Sequence, residues 1–248
     1  IGNLGSSPLA AAASRKLPIV AFIVSAQINA AEALVVRNGS GINSPQDLVG
    51  KTIATPFVST SHYSLLGALK HWNLDTRQVK VVNLQPAEIA AAWKRGDIDG
   101  AFVWSPALGE IRKTGKTLTD AAEVGGWGAP TFEVWVARKD FAEKHPEVVA
   151  QFAKVTLQSF ADYSANKAQW TADSVPVQKI AKLTGASPAD VPELLAGAAF
   201  PDAQAQPALL QSQTPSAIAE TAKFLKEQGK IEAVLPDYTP FVSDKFVQ

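Results

Sequence analysis

The chain contains no cysteine, no methionine and only 3 histidines in 248 residues. Without cysteine there are no disulfide bridges, no thiolate catalysis and no cysteine-ligated zinc, and the redox compartment stays open. The histidines, His62, His71 and His145, show no metal-pair or triad pattern, since His71 falls late in a helical stretch and His145 just before a proline. Net charge is missing too. The 23 Lys plus Arg balance 23 Asp plus Glu, and no basic run interleaves with aromatics, so nucleic acid is not an expected partner. No segment is apolar enough to span a bilayer: the richest, residues 17–36, carries Gln27, Asn29 and Glu32 and reads as two strands. There is no G-x-S-x-G elbow, Walker loop, G-x-G-x-x-G or H-E-x-x-H, and no cofactor is called for. The sequence opens in the middle of a strand, so any targeting peptide is expected to be missing from it rather than disproved.

What is present describes a globular protein. Hydrophobic residues make up 46%, charged residues 19% and aromatics 8%, enough for a sizeable core in one large domain or two smaller lobes. Short β-branched runs, "PIVAFIV", "EALVVR", "KTIATPF", "QVKVVNL", "IDGAFVW" and "TFEVWVARK", alternate with helical patterns such as "STSHYSLLGALKHWN" and "QPAEIAAAWKRG". Such alternation predicts parallel α/β units. From about residue 139 the pattern turns mostly helical, and the tail "AVLPDYTPFVSDKFVQ" reads as extended and proline-punctuated.

An internal echo links "IGNLGSSPLA" (1–10) to "DGAFVWSPAL" (99–108): each is a strand, then Ser-Pro, then a helix. Strand-end turns of this kind bind ligands in open α/β sheets. The same dipeptide at Ser44-Pro45, Ser187-Pro188 and Thr214-Pro215 needs no more than helix capping, so both readings stay open for Ser7 and Ser105. In "TPFVSTSHYSLL", Ser59, Thr60 and Ser61 crowd a helix start near His62, where free N–H groups and partial positive charge suit an anion. No Lys or Arg accompanies these hydroxyls, which favours a small ionised oxyanion or a zwitterion over a polyphosphate. Glu133 sits mid-strand among bulky neighbours and needs a cationic or hydrogen-bonding partner, either structural or from a ligand. Glu32 poses the same question more weakly. Trp104 and Trp127, next to turn residues, either line a pocket or pack in the core.

At these residues the chain closely resembles the nitrate, sulfonate and taurine substrate-binding family of ABC importers, at its taurine-binding members. "STSHYSLL" and "RGDIDGAFVWSPA" are the most specific matches, and further ones extend from "IGNLGSSPLA" through "GGWGAPTFEVWVARKDFAEKHPEVV" to "FLKEQGK". The resemblance implies an α/β, two-lobed periplasmic-binding-protein fold of type II with two crossover strands, here lacking its N-terminal strand and helix. Residues 1–39 and 131–248 would form lobe 1 and residues 40–130 lobe 2, with "EALVVR" and "TFEVWVARK" as crossovers and the ligand enclosed between the lobes.

The resemblance further implies a periplasmic, monomeric binding protein, not an enzyme, that delivers taurine or a related alkanesulfonate to an ABC permease. Ser6, Ser7, Ser59, Thr60 and Ser61 would hold the sulfonate, Glu133 the ammonium and Trp104 the carbon chain, with Gly5, His62 and Ser105 beside them. Taurine-binding members have Asp where this chain has Glu133, which leaves the exact amino-sulfonate open. A nitrate or aromatic-sulfonate binder is the alternative within the family, for which Glu133 would be an awkward charge. The enzymatic alternative is a small hydrolase using Ser7 with His62, or a pyrimidine-biosynthetic relative.

Overall fold

The computed structural model describes residues 1–248. In chain order the strands and helices begin β1 (Gly2–Gly5), α1 (Ser6–Ser14), β2 (Ile19–Ile28), β3 (Glu32–Arg37), β4 (Thr52–Thr55) and α2 (Thr60–His71). They continue with β5 (Lys80–Asn83), α3 (Pro86–Arg95), β6 (Gly100–Trp104), α4 (Ala107–Arg112), β7 (Gly115–Asp120), α5 (Ala121–Gly126) and β8 (Thr131–Arg138). The remainder is α6 (Lys139–Lys144), α7 (Pro146–Asn166), α8 (Val175–Thr184), α9 (Val191–Ala196), β9 (Ala198–Ala199), α10 (Gln206–Ala208) and α11 (Thr214–Glu227).

Two compact units emerge. The first comprises residues 1–27, 132–167 and 199–248, the second residues 28–131 and 168–198. Residues 28–39, 131 and 168–198, assigned to lobe 1 on resemblance, therefore group with residues 40–130. The contacts explain why. β3 pairs with β6 and β7, Ala31 N–H donates to Gly197 O at 3.0 Å, and Arg112 on α4 pairs with Glu193 on α9 at 3.2 Å.

The first unit is built on a four-stranded sheet of order β1-β8-β2-β9. β1 runs antiparallel to β8, with Gly5 opposite Glu133 and Asn3 opposite Trp135. Phe22 on β2, fully buried, meets Phe152 and Phe246 edge-on, each with centroids 6.0 Å apart. Val20, Ile23, Ala137, Val149, Ala153 and Leu157 complete that core, and truncating a ring so placed costs about 3–5 kcal/mol.

The second unit holds a five-stranded sheet of order β5-β4-β6-β3-β7. β4 is parallel to β5 and β6, whereas β3 is antiparallel to β6 and β7. The all-parallel expectation is thus corrected to a mixed sheet. β3 follows β2 after three residues rather than through a crossover helix, so no βαβ connection imposes a parallel direction on it. β7, "GKTLTD", was not read as a strand. It has little hydrophobic content, lies at the sheet edge, and opens on Gly115, where a Cβ would lie 2.5 Å from Val35 Cγ1. α3 follows its sequence signals closely: Pro86 sits in its first turn, Gln85 and Glu88 form a capping box, and Gly96 ends it at φ 84°. Arg37 lies over the Trp93 ring, 4.5 Å from its centroid.

Candidate functional site

Each unit carries a helix N-terminus armed with hydroxyls, and local sequence accounts for both. In the first unit β1 ends at Gly5, which is also the N-cap of α1 in extended conformation and offers no side-chain cap. Ser6 and Ser7 occupy the first turn, where their N–H groups have no acceptor within the helix and Pro8 has no N–H at all. Both serines are fully buried. Their Oγ atoms make no hydrogen bond, and burying such groups costs roughly 1–3 kcal/mol each. Across the strand pair from Gly5 stands Glu133, near the start of β8, so the carboxylate belongs to the sheet rim from which α1 springs. Glu133 is half-buried, and burial pushes its carboxyl above the ordinary carboxylate range with no cation or donor to pull it back. Two strand positions away, the Asn3 carboxamide donates to Ser25 Oγ at 3.0 Å and to Val134 O at 3.2 Å, bracing β1 over β8.

The second unit's equivalent lies where β4 and β6 end, at Thr55 and Trp104, the carboxyl ends of two parallel strands. Ser59 caps α2, its Oγ accepting from His62 N–H at 3.1 Å and donating to Pro56 O at 2.6 Å. Thr60 and Ser61 follow in the first turn. Their hydroxyls donate to the two carboxylate oxygens of Glu32, Thr60 Oγ1 to Oε1 at 2.6 Å and Ser61 Oγ to Oε2 at 2.8 Å. Glu32, the first residue of β3, pairs with Trp104 in the sheet and is 4% exposed. His62 is buried, its ring stacked on Phe57 with centroids 4.6 Å apart and its Nδ1 accepting from Val58 N–H at 3.3 Å. Thr55 Oγ1 and Ser64 Oγ are fully buried hydroxyls without a hydrogen bond.

The residues singled out from the sequence thus divide between the units. Gly5, Ser6, Ser7 and Glu133 come together at the α1 terminus. Ser59, Thr60, Ser61 and His62 come together at the α2 terminus, joined by Glu32, which sequence reasoning ranked below Glu133. A signal for Glu32 did exist in the acidic residue that opens "EALVVR", but its partners lie 28 and 29 positions away. Trp104 is half-buried and packs against the core of Ala33, Val35, Ala101, Val103 and Ala107. Ser105 lies in the turn before α4 and lines a cavity of about 280 Å³ together with Arg112, Lys113, Asp190 and Glu193. Trp127 is exposed and stacks on His71, centroids 4.1 Å apart. The Ser-Pro echo holds for the strand-to-helix turn but not for capping, because Ser7-Pro8 lies inside α1 whereas Ser105-Pro106 precedes α4. No helix is long and apolar enough to cross a membrane.

Comparison with known proteins agrees with this architecture. Residues 4–182 match the family model of the substrate-binding domain of ABC-type glycine betaine transport systems. The chain is 53% identical over 248 residues to the taurine-binding periplasmic protein of Escherichia coli K12, covering 100% of this chain and 77% of that one. Among solved structures, the alkanesulfonate-binding protein of Xanthomonas axonopodis pv. citri, bound to MOPS, superposes with a TM-score of 0.79 at 22% identity, over 98% of this chain and 79% of the other. The desulfurization enzyme DSZB superposes with a TM-score of 0.65 at 14% identity, over 99% of this chain and 83% of its own. At such identities the structural likeness establishes the shared α/β fold.

Proposed function

This chain belongs to the substrate-binding family of ABC-type transport systems, and from that premise we propose that it captures taurine or a closely related amino-alkanesulfonate. The observation that carries this reading is the α1 terminus. Two fully buried serine hydroxyls without partners stand at a helix N-terminus, on the rim that also holds a carboxylate without a counterion. Donors of this kind suit a sulfonate, which stays ionised at any physiological pH and needs several hydrogen bonds to leave water. A half-buried carboxylate with no donor or cation beside it favours a ligand that brings a cation. A zwitterion with sulfonate at one end and ammonium at the other supplies both in one molecule, whereas nitrate or an aromatic sulfonate would leave Glu133 unmatched.

In this reading Ser6 and Ser7, with the backbone N–H groups beside Gly5, hold the sulfonate, and Glu133 receives the ammonium. The chain acts in the periplasm as a monomer and delivers its ligand to a membrane permease, making and breaking no bond. The 53% identity to the E. coli taurine-binding protein supports the ligand class, the partner and the compartment.

Calorimetry with taurine, ethanesulfonate, nitrate and sulfate tests the assignment. Taurine is expected to bind, ethanesulfonate to bind much more weakly, and nitrate and sulfate not to compete. No heat and no rise in melting temperature with millimolar taurine would overturn the proposal, since a ligand that binds only the folded state must stabilise it. Recovery of unmodified taurine after prolonged incubation is the expected result against turnover.

A further inference from the structure

Glu133 matches the charge of an ammonium but not all of its hydrogen bonds. An ammonium carries three N–H groups that point apart. A carboxylate on one side leaves at least one of them without an acceptor, and a donor left unpaired on binding costs affinity. The same rim holds a second acceptor. Asn3 lies opposite Trp135 and Gly5 opposite Glu133, so Asn3 and Glu133 share one face of the sheet as diagonal cross-strand neighbours, about 7–8 Å apart along the backbone. A small group between the two side chains spans that separation.

The Asn3 carboxamide is fixed in one orientation. Its Nδ2 donates to Val134 O at 3.2 Å and to Ser25 Oγ at 3.0 Å. A backbone carbonyl only accepts, so the end of the amide that faces it is the NH2. Both Nδ2 protons are thereby spent inside the sheet, one on β8 and one on the buried Ser25 of β2, and none is left for the Glu133 carboxylate. What Asn3 still offers is Oδ1, which accepts no hydrogen bond. The residue is exposed, so this oxygen is open to a ligand. Trp135, the aromatic residue opposite Asn3, packs edge-on against Phe152 with centroids 4.9 Å apart, and so belongs to the core rather than to a cage for a quaternary ammonium.

We infer that Asn3 is a specificity-determining residue: its Oδ1 accepts one N–H of the ligand ammonium whose charge Glu133 neutralises, so the site takes primary amines and rejects their N-methylated counterparts. The two residues read one group in two ways, Glu133 its charge and Asn3 its N–H donors, and both stand in the first unit beside the α1 terminus. The inference rests on the proposed function and narrows its ligand class to amino-alkanesulfonates with an unsubstituted ammonium. Methylation removes donors but keeps the charge, so attraction to Glu133 alone would not separate the two classes.

Calorimetry with taurine and N,N-dimethyltaurine, which keeps the positive charge but has a single N–H, provides the test on wild type, Asn3→Leu and Asn3→Ala. Wild type should prefer taurine by roughly tenfold or more. Asn3→Leu keeps a similar volume without the acceptor, and should weaken taurine by about tenfold while leaving N,N-dimethyltaurine level or tighter. Asn3→Ala should collapse the preference in the same direction, so a folding defect in one variant leaves the comparison usable. Parallel weakening of both ligands, or an unchanged preference, would show that Asn3 only braces the strands and overturn the inference. An independent arm uses no sulfonate: melting temperatures are read with methylammonium chloride and with tetramethylammonium chloride at equal concentration. Wild type should be stabilised more by methylammonium, and Asn3→Leu equally by both. Equal effects on wild type, or a gap that survives Asn3→Leu, overturn the inference. If wild type binds no taurine, the proposed function fails, while the methylammonium comparison still decides the role of Asn3.

Discussion

The α1 and α2 termini begin from the same ingredients and arrive at opposite electrostatic states. Each follows a strand end, each puts two hydroxyl residues in the first helical turn, and neither has a Lys or Arg nearby in sequence. At α1 the hydroxyls of Ser6 and Ser7 are buried without partners, and the nearby carboxylate, Glu133, has none either. At α2 the hydroxyls of Thr60 and Ser61 both hold the Glu32 carboxylate. A helix N-terminus with hydroxyls is therefore not by itself an anion site. What decides is whether the fold has already supplied the anion.

The largest effect expected from this contrast is on ligand affinity. Replacing Glu133 by Gln should cost taurine roughly 2–5 kcal/mol, the penalty for breaking a buried charge pair, and leave ethanesulfonate level or improved. Calorimetry with both ligands reads the difference, and a parallel loss would move Glu133 from ligand recognition to support of the strand pair.

Next in size is the stability cost of disturbing the satisfied terminus. Thr60→Val removes a hydrogen bond to a charged group and should lower the stability of the ligand-free protein by about 1.5–3 kcal/mol in denaturant melts. The matching change at the unsatisfied terminus should act the other way. Ser7→Ala deletes a buried hydroxyl that has no partner, so the ligand-free protein should be unchanged or up to about 1 kcal/mol more stable, while taurine binds about tenfold more weakly. Should both substitutions destabilise equally without ligand, the contrast between the termini would collapse.

The smallest effect is in the pH dependence of the ligand-free protein. Glu133 has a raised carboxyl pKa in the fold because burial disfavours its charge, so the folded state binds its proton more tightly than the unfolded chain. Its penalty is absent below the ordinary carboxylate range and grows as pH rises through the folded value. Glu133→Gln should therefore melt above wild type at pH 8 and level with it at pH 3.5. A constant difference across that range would assign the effect to packing instead of charge.

Much of this was readable from residue order alone. The strands rich in Val and Ile, the long helices after residue 139 and the capped ends of α3 follow from periodicity, Pro at helix starts and Gly at helix ends, all of which act within a few residues. The hydroxyl-rich helix starts and the unusual placement of Glu133 were likewise visible, as was the family. β7 was missed because "GKTLTD" has almost no hydrophobic alternation; its strand exists because β3 offers it an edge, with Leu34 opposite Thr119 and Val35 opposite Thr117. The antiparallel course of β3 was missed because strand direction depends on how chain segments enter a sheet.

Sequence by itself determined which residues form elements, which faces are apolar and which positions carry hydroxyls and carboxylates, since each depends on local propensity and side-chain chemistry. Only the tertiary structure decided which hydroxyl meets which carboxylate. Glu32 lies 28 residues from Thr60 and reaches it because β3 lies beside β6 in the same sheet, two strands from β4, whose end leads into α2. Charge and hydrogen bonding act through space, so the state of each helix terminus was fixed by strand pairing rather than by the residues of the terminus itself.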